Sequence, residues 1–216
     1  MSSLDKLHFV RESIRVAAAK AKRAPSDITL IAVTKTHDAD EIAPLIAAGV
    51  TDFGESRVQE AAAKWPALRA DHPDLRLHMI GRLQSNKAAE AVELFDCIHS
   101  LDRPSLLGTL IDAGTRVGKL PSCFVQVNVG QEEQKGGVAP ADLGAFLSQV
   151  RASPLPLAGL MCIPPANLEP APFFAFLNEL ARRHDVTGLS MGMSADYETA
   201  AMLGATHVRV GSALFA

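Results

Sequence analysis

The sequence predicts a (β/α)8 barrel, a TIM-like closed sheet with one extra helix at its N-terminus, as a single domain over residues 1–216. Two observations carry this prediction. Short aliphatic and β-branched runs alternate regularly with segments of helical spacing, the pattern of a parallel sheet covered by helices. The composition is 48% hydrophobic but only 5% aromatic, which suits an aliphatic sheet under alanine-rich helices. A doubly wound open sheet would use the same alternation and is the competing arrangement.

The elements follow in order. Residues 3–22 read as an N-terminal helix, and 29–34 as the first strand, closed by Lys35. Residues 40–48 place Ile42, Leu45 and Ile46 on one helical face before the second strand at 51–54. A helix over 57–70, a strand over 75–80, a helix over 85–95 and a strand over 97–100 come next. The helix at 104–117 leads to the fifth strand at 123–129. In 141–152, Leu143, Phe146, Leu147 and Val150 share a face. Strands at 157–163, 188–191 and 207–210 enclose helices at 170–184 and 196–203. Gly49, Gly118 and Gly204 stand where helices end. After the eighth strand only residues 211–216 remain, too few for a full helix. Chain ends are neighbours in a closed barrel, so the N-terminal helix is expected to cover that gap.

The net charge of −3 and the absence of a basic stripe argue against nucleic acid as a partner. No apolar stretch reaches the ~18 residues of a membrane span. The polar start, Met1 to Lys6, has no apolar signal region, so a cytoplasmic protein is expected. Cys97, Cys123 and Cys162 are odd in number and without a CxxC pair, as buried thiols in a reducing compartment would be.

Side chains alternate across a strand, which assigns polar groups to the barrel interior. Val125, Val127 and Val129 suit the helix layer, leaving Gln126 and Asn128 inward. Val208 and Val210 do the same for the eighth strand, leaving His207 and Arg209 inward. Leu189 and Met191 pack outward, so Ser190, Gly192 and Ser194 line the other side. Ile31, Val33 and Lys35 share parity, placing a lysine amine above an aliphatic floor at a strand's carboxyl end, where barrels carry their chemistry. Inward polar groups must satisfy one another, water or a ligand. The stretches 190–194 and 209–212 put small residues and hydroxyls on adjacent strands, and the serines Ser194 and Ser212 read as helix N-caps. That corner of a barrel commonly binds a phosphate. A lysine able to form a Schiff base, a phosphate cradle and an inward arginine together suit pyridoxal 5′-phosphate (PLP).

The segments at 31–35, 53–60, 78–87 and 99–102, with 126–128, 135–137, 159–161, 189–194 and 208–212, closely resemble the pyridoxal phosphate homeostasis protein family. The motifs Gly81-Arg-Leu-Gln-Ser-Asn-Lys87 and Ser190-Met-Gly-Met-Ser194 are specific, and the match runs in order over about residues 28–215. The resemblance implies a barrel similar to the N-terminal domain of alanine racemase, with PLP as a Schiff base on Lys35. It implies a phosphate resting on Ser194, Gly211 and Ser212, and Arg209 at the pyridine nitrogen. It further implies a non-catalytic, monomeric carrier that buffers or delivers PLP, with apo-forms of PLP enzymes as partners, and that influences amino-acid and keto-acid balance.

Two positions depart from the family's pattern. Ser56 stands where asparagine is usual among the cofactor contacts, and Arg82 where proline is usual. The main enzymatic alternative is a PLP-dependent racemase of fold type III. It needs a second proton-transfer group opposite the lysine, and the single tyrosine, Tyr197, lies at a predicted helix start. A metal-dependent hydrolase would recruit His78, His99 and His207, which lack HxH or HExxH spacing and read better as satisfied core or rim histidines. A Schiff-base aldolase would leave the cradle and Arg209 less well explained. Solvated side chains are the expectation for Lys87 and Lys135, with approach to a phosphate or a second PLP as the alternative; an ion pair or cap is expected for Asp102 and Arg103, and a helix-to-barrel contact for Trp65.

Overall fold

The computed structural model describes residues 2–132 and 134–215. Eight parallel strands close into a barrel in sequence order. They are β1 Thr29–Val33, β2 Asp52–Glu55, β3 Arg76–Met79, β4 Cys97–Leu101, β5 Ser122–Gln126, β6 Leu157–Met161, β7 Leu189–Ser190 and β8 His207–Val210. The helices are α1 Ser3–Lys20, α2 Ala39–Ala47, α3 Val58–Asp71, α4 Ala88–Leu94, α5 Pro104–Val117, α6 Leu143–Arg151, α7 Ala171–Arg183, α8 Tyr197–Met202 and α9 Ser212–Phe215. Closure is made by β8 on β1, from Thr29 opposite His207 to Ala32 opposite Val210. That pairing rules out the doubly wound sheet.

The apolar residues divide as alternation requires. Ala32, Phe53, Leu77, Val125, Leu160, Val208 and Val210 face outward and join Leu45, Trp65, Leu110, Leu147 and Phe174 of the helices in one continuous core. Cys97, Phe124 and Met161 form a separate, smaller cluster inside the barrel. Rings of His99, Phe124 and His207 touch one another there, a contact between β4, β5 and β8 that only the interior permits.

Helix α1 begins with a capping box, in which Asp5 N–H donates to Ser2 Oγ and Ser2 N–H to the Asp5 carboxylate. It buries Leu7, Val10, Ile14, Ala17 and Ala18 against α2, α8 and α9. The short α9 leaves a gap on the outside of the β8–β1 seam, and α1 fills it. Removing residues 1–22 should therefore expose that seam and give insoluble protein or a lowered melting temperature. A soluble truncated barrel with an unchanged melting curve would contradict this role.

Several boundaries differ from the sequence expectation. β5 stops at Gln126 because Asn128 turns to the following loop, accepting from Glu132 N–H and donating to Glu132 O. The segment expected to be helical from 85 opens as a 3-10 turn, Ser85–Lys87, and is α-helical from Ala88. Gly118 ends α5 at φ +74, a left-handed position that a Cβ would strain. No helix among the described residues is long and apolar enough to cross a membrane. The three cysteines are buried and unpaired.

Candidate functional site

Thr34 separates β1 from Lys35, which stands in a turn closed by His37 N–H donating to Thr34 O (3.0 Å), and its side chain is exposed. The turn is held from below. Lys64 of α3 donates to Thr34 O and His37 O, both at 2.8 Å, bracketing Lys35. Its amine also pairs with the fully buried Glu55 at 2.7 Å. Glu55 Oε1 accepts from Thr34 Oγ1 (2.7 Å) and Trp65 Nε1 (2.9 Å) as well. Trp65 thus packs its helix on the barrel as expected, and Lys64 and Glu55 are site-supporting residues that the sequence reading missed.

Arg209 points into the barrel, as parity predicts, and is buried. Its Nη1 donates to Ser190 Oγ at 2.6 Å and its Nη2 to Cys162 O at 3.0 Å. Burial lowers its pKa, but a guanidinium stays protonated in proteins. No ion pair joins Arg209 to a carboxylate among the described residues. A buried cation with two neutral acceptors is costly unless a further acceptor meets its remaining N–H groups.

The histidines lie together deeper in the same interior. His99 Nδ1 meets Ser190 Oγ at 2.8 Å, His99 Nε2 meets His78 Nδ1 at 3.0 Å, and His78 Nε2 meets Asp52 Oδ1 at 2.9 Å. They are satisfied core histidines, as the sequence suggested. Cys97 Sγ stands within 4.8 Å of His78 and His99, so the three could in principle hold a metal. Burial, the largest influence, pushes the Cys97 thiol up to about 12, so it carries a proton rather than offering a thiolate. His207 reaches Thr206 Oγ1 at 2.8 Å and contacts the rings of His99 and Phe124.

The segments after β7 and β8 form an oxygen-binding corner. Gly211 N–H and Ala213 N–H both donate to Ser194 Oγ, at 3.1 and 3.3 Å. A Cβ on Gly211 would come within 3.3 Å of Val33 Cβ, which sets this corner hard against β1. His37 stacks on Phe215 at 3.8 Å, tying the Lys35 turn to α9. The N-cap expectation for the two serines is corrected. α8 starts after Asp196, whose Oδ1 accepts from Met193 N–H, and Ser212 is the first residue of α9, not its cap. Freed from capping α8, Ser194 turns to the backbone of the next strand's loop.

Ser56 belongs to a different part of the mouth. It lines a cavity of about 980 Å³ together with Arg57, Arg82, Lys87 and Arg103. No hydrogen bond or ion pair links it to the β7–β8 corner among the described residues. Gly81 lets this rim form, because a Cβ there would lie 2.2 Å from Ser56 O. Arg82, exposed, lines the same cavity. Lys87 pairs with Glu90 at 2.9 Å, Lys135 with Glu132 at 2.7 Å, and Arg103 with Asp102 at 2.6 Å, the last as expected.

The closed barrel with a lysine at the end of its first strand belongs to the alanine racemase barrel class. The family model for the alanine racemase N-terminal domain matches residues 7–216. More particularly, the chain belongs to the pyridoxal phosphate homeostasis protein family. It is 44% identical to the Pseudomonas aeruginosa pyridoxal phosphate homeostasis protein, covering 95% of this chain and 91% of that one. The Escherichia coli K12 protein of the same name is 38% identical, covering 95% and 92%. Among solved structures, Synechococcus elongatus PipY with PLP bound superposes with a TM-score of 0.80 at 42% identity, covering 94% of this chain and 99% of that one. Clostridium difficile alanine racemase shares the fold, with a TM-score of 0.73 at 16% identity over 98% of this chain and 59% of the racemase.

Proposed function

We propose that this protein binds pyridoxal 5′-phosphate with Lys35 as its covalent anchor and serves PLP homeostasis as a cytoplasmic, monomeric carrier. In this reading it buffers the cofactor or delivers it to apo-forms of PLP enzymes, and so influences amino-acid and keto-acid balance. The observation that carries it is the buried Arg209, which has spare N–H groups and, among the described residues, no carboxylate partner beside the β7–β8 corner. The residues fit the group. Lys35 offers a primary amine at the strand end, Gly211 and Ala213 N–H already gather one oxygen, and Ser194 and Ser212 add hydroxyls. Arg209 would donate to the pyridine nitrogen. In this reading Ser56, in the cavity on the β2 side of the mouth, would contact the cofactor from that side.

Bound PLP supplies an aldehyde for a primary amine and a ring that spreads negative charge. Arginine at the ring nitrogen donates a hydrogen bond without protonating it, which weakens that electron sink and favours holding over turnover. Tyr197 is buried in the outer core beside Ser13 of α1, so it presents no second proton-transfer group to the Lys35 side. These features support a carrier over a racemase.

Borohydride reduction of the PLP-loaded protein should fix the cofactor's mass on a peptide containing Lys35, and Lys35→Ala should lose both that label and the yellow absorbance. Undiminished PLP binding by Lys35→Ala would overturn the anchor. Exchange of alanine's α-proton in deuterated water at ordinary enzyme rates, on the order of 1–10³ s⁻¹, would overturn the carrier.

A further inference from the structure

We propose that Ser190, His99 and His78 are positioning residues for Arg209, acting through a one-directional hydrogen-bond chain that crosses the barrel interior to Asp52. Resting on the PLP reading above, the inference adds that this chain sets the protein's preference for a cofactor with a ring nitrogen.

Five strands contribute one residue each. From β8, Arg209 Nη1 donates to Ser190 Oγ of β7 (2.6 Å), which meets His99 Nδ1 of β4 (2.8 Å). His99 Nε2 meets His78 Nδ1 of β3 (3.0 Å), and His78 Nε2 meets Asp52 Oδ1 of β2 (2.9 Å). Asp52 is closed off on its other oxygen by Arg76 (2.8 Å) and Thr51 Oγ1 (2.9 Å).

Proton accounting fixes the direction. Burial, with the charges of His78, Arg209 and His207 adding to it, holds the His99 pKa well below the usual imidazole range, so the ring is neutral with one donor and one acceptor. The Asp52 carboxylate only accepts, so His78 carries its proton on Nε2 and its Nδ1 accepts from His99 Nε2–H. His99 Nδ1 then accepts the hydroxyl proton of Ser190, whose oxygen accepts from Arg209. Every donor meets one acceptor. Reversing any link would leave His78 Nε2 bare against a carboxylate unless His78 took a second proton.

The orientation has an electrostatic consequence. Each link turns its negative end toward the guanidinium and its positive end toward Asp52, and aligned hydrogen bonds polarise one another in a low-dielectric interior. Arg209 is thereby held by an oriented acceptor, with its remaining N–H groups left for the mouth. His99 also stacks on Phe124 at 4.5 Å, which fixes the ring plane.

Two measurements test this. In the unloaded protein at neutral pH, ¹⁵N–¹H correlation spectra should show both His78 and His99 as the Nε2–H tautomer. The Nδ1–H tautomer at either ring would overturn the chain. Next, binding of PLP is compared with binding of an analogue whose ring nitrogen is replaced by C–H. Wild type should prefer PLP by about tenfold or more, the worth of one hydrogen bond to a charged group. Ser190→Ala and His99→Phe should reduce that preference to about threefold or less. His99→Gln should keep most of it, since an amide also offers one acceptor and one donor. A preference unchanged in Ser190→Ala and His99→Phe, each shown folded by its melting curve, would overturn the positioning role. Should His99→Phe not fold, Ser190→Ala against His99→Gln decides alone. Wild type binding neither compound would defeat the cofactor reading and the preference with it, while the tautomers would still decide the chain.

Discussion

Replacing Lys64 by methionine should destabilise the fold by about 3–5 kcal/mol, the cost of stranding one member of a buried ion pair, and should loosen cofactor retention in the same variant. The Lys64 amine donates to Thr34 O and His37 O and pairs with the Glu55 carboxylate at 2.7 Å, so three contacts depend on it. Methionine keeps the stem and removes all three. Among the described residues Glu55, fully buried, would be left with Thr34 and Trp65 as its donors, and its Oε2 has no partner there. The two freed carbonyls flank Lys35, so the turn that presents the amine loses its anchor while Lys35 itself is untouched. Urea denaturation should show the loss. The double variant Lys64→Met with Glu55→Gln should recover part of it, because the stranded charge is gone. A Lys64→Met protein as stable as wild type would mean the pair is not the keystone of this turn.

Much of the barrel was legible because aliphatic strand runs and helical spacing point the same way along the chain. Arg209 was legible because Val208 and Val210 make one face of β8 aliphatic and leave the other to the interior, and Lys35 because it closes an apolar run at a strand's carboxyl end. That logic failed for His78 and His99. Leu77 and Met79 are no more apolar than Ile80, which shares a face with His78, so β3 shows no polar side. In β4 the register shifts between Ile98 and Leu101, and alternation breaks where His99 sits. Lys64 was invisible because it contacts residues 27 and 30 positions away and looks like any solvated helix lysine. Glu55 held the available signal, an acid inside a strand that is buried throughout. Ser194 was misassigned because Ser194 and Asp196 both suit a cap and only packing chooses between them. Ala213 contributes a backbone N–H, which no side-chain motif can reveal.

Lowering the pH from 7 to 5 should destabilise this protein through its interior imidazoles, the buried His99 and the partly buried His207, well before its carboxylates matter. Burial is the main cause that holds His207 down to about 4, with His78, Arg76 and Arg209 adding to it and Asp52 opposing. His99 is depressed in the same direction. An unfolded imidazole takes up a proton near 6.5 and the folded ones do not, so the unfolded chain binds more protons below that point. Stability is therefore complete above about 6.5 and lost as pH falls from there toward each folded pKa. For His207 alone the loss at pH 5 is about 2 kcal/mol, rising to about 3 kcal/mol near pH 4. Either is a large share of a typical fold's ~5–15 kcal/mol. Asp52 behaves in the opposite sense. Burial pushes it up, but the hydrogen bonds and charges of His78 and Arg76 prevail and hold it at about 2. Its stabilisation persists through pH 5 and disappears only between its usual 3.8 and about 2. The two contributions separate in a His207→Met variant, which keeps the volume and removes the titration. Its urea midpoint should change less between pH 7 and 5 than that of wild type, by an amount corresponding to about 2 kcal/mol. Identical pH dependence in the two proteins would show that His207 titrates in the fold as it does in the unfolded chain.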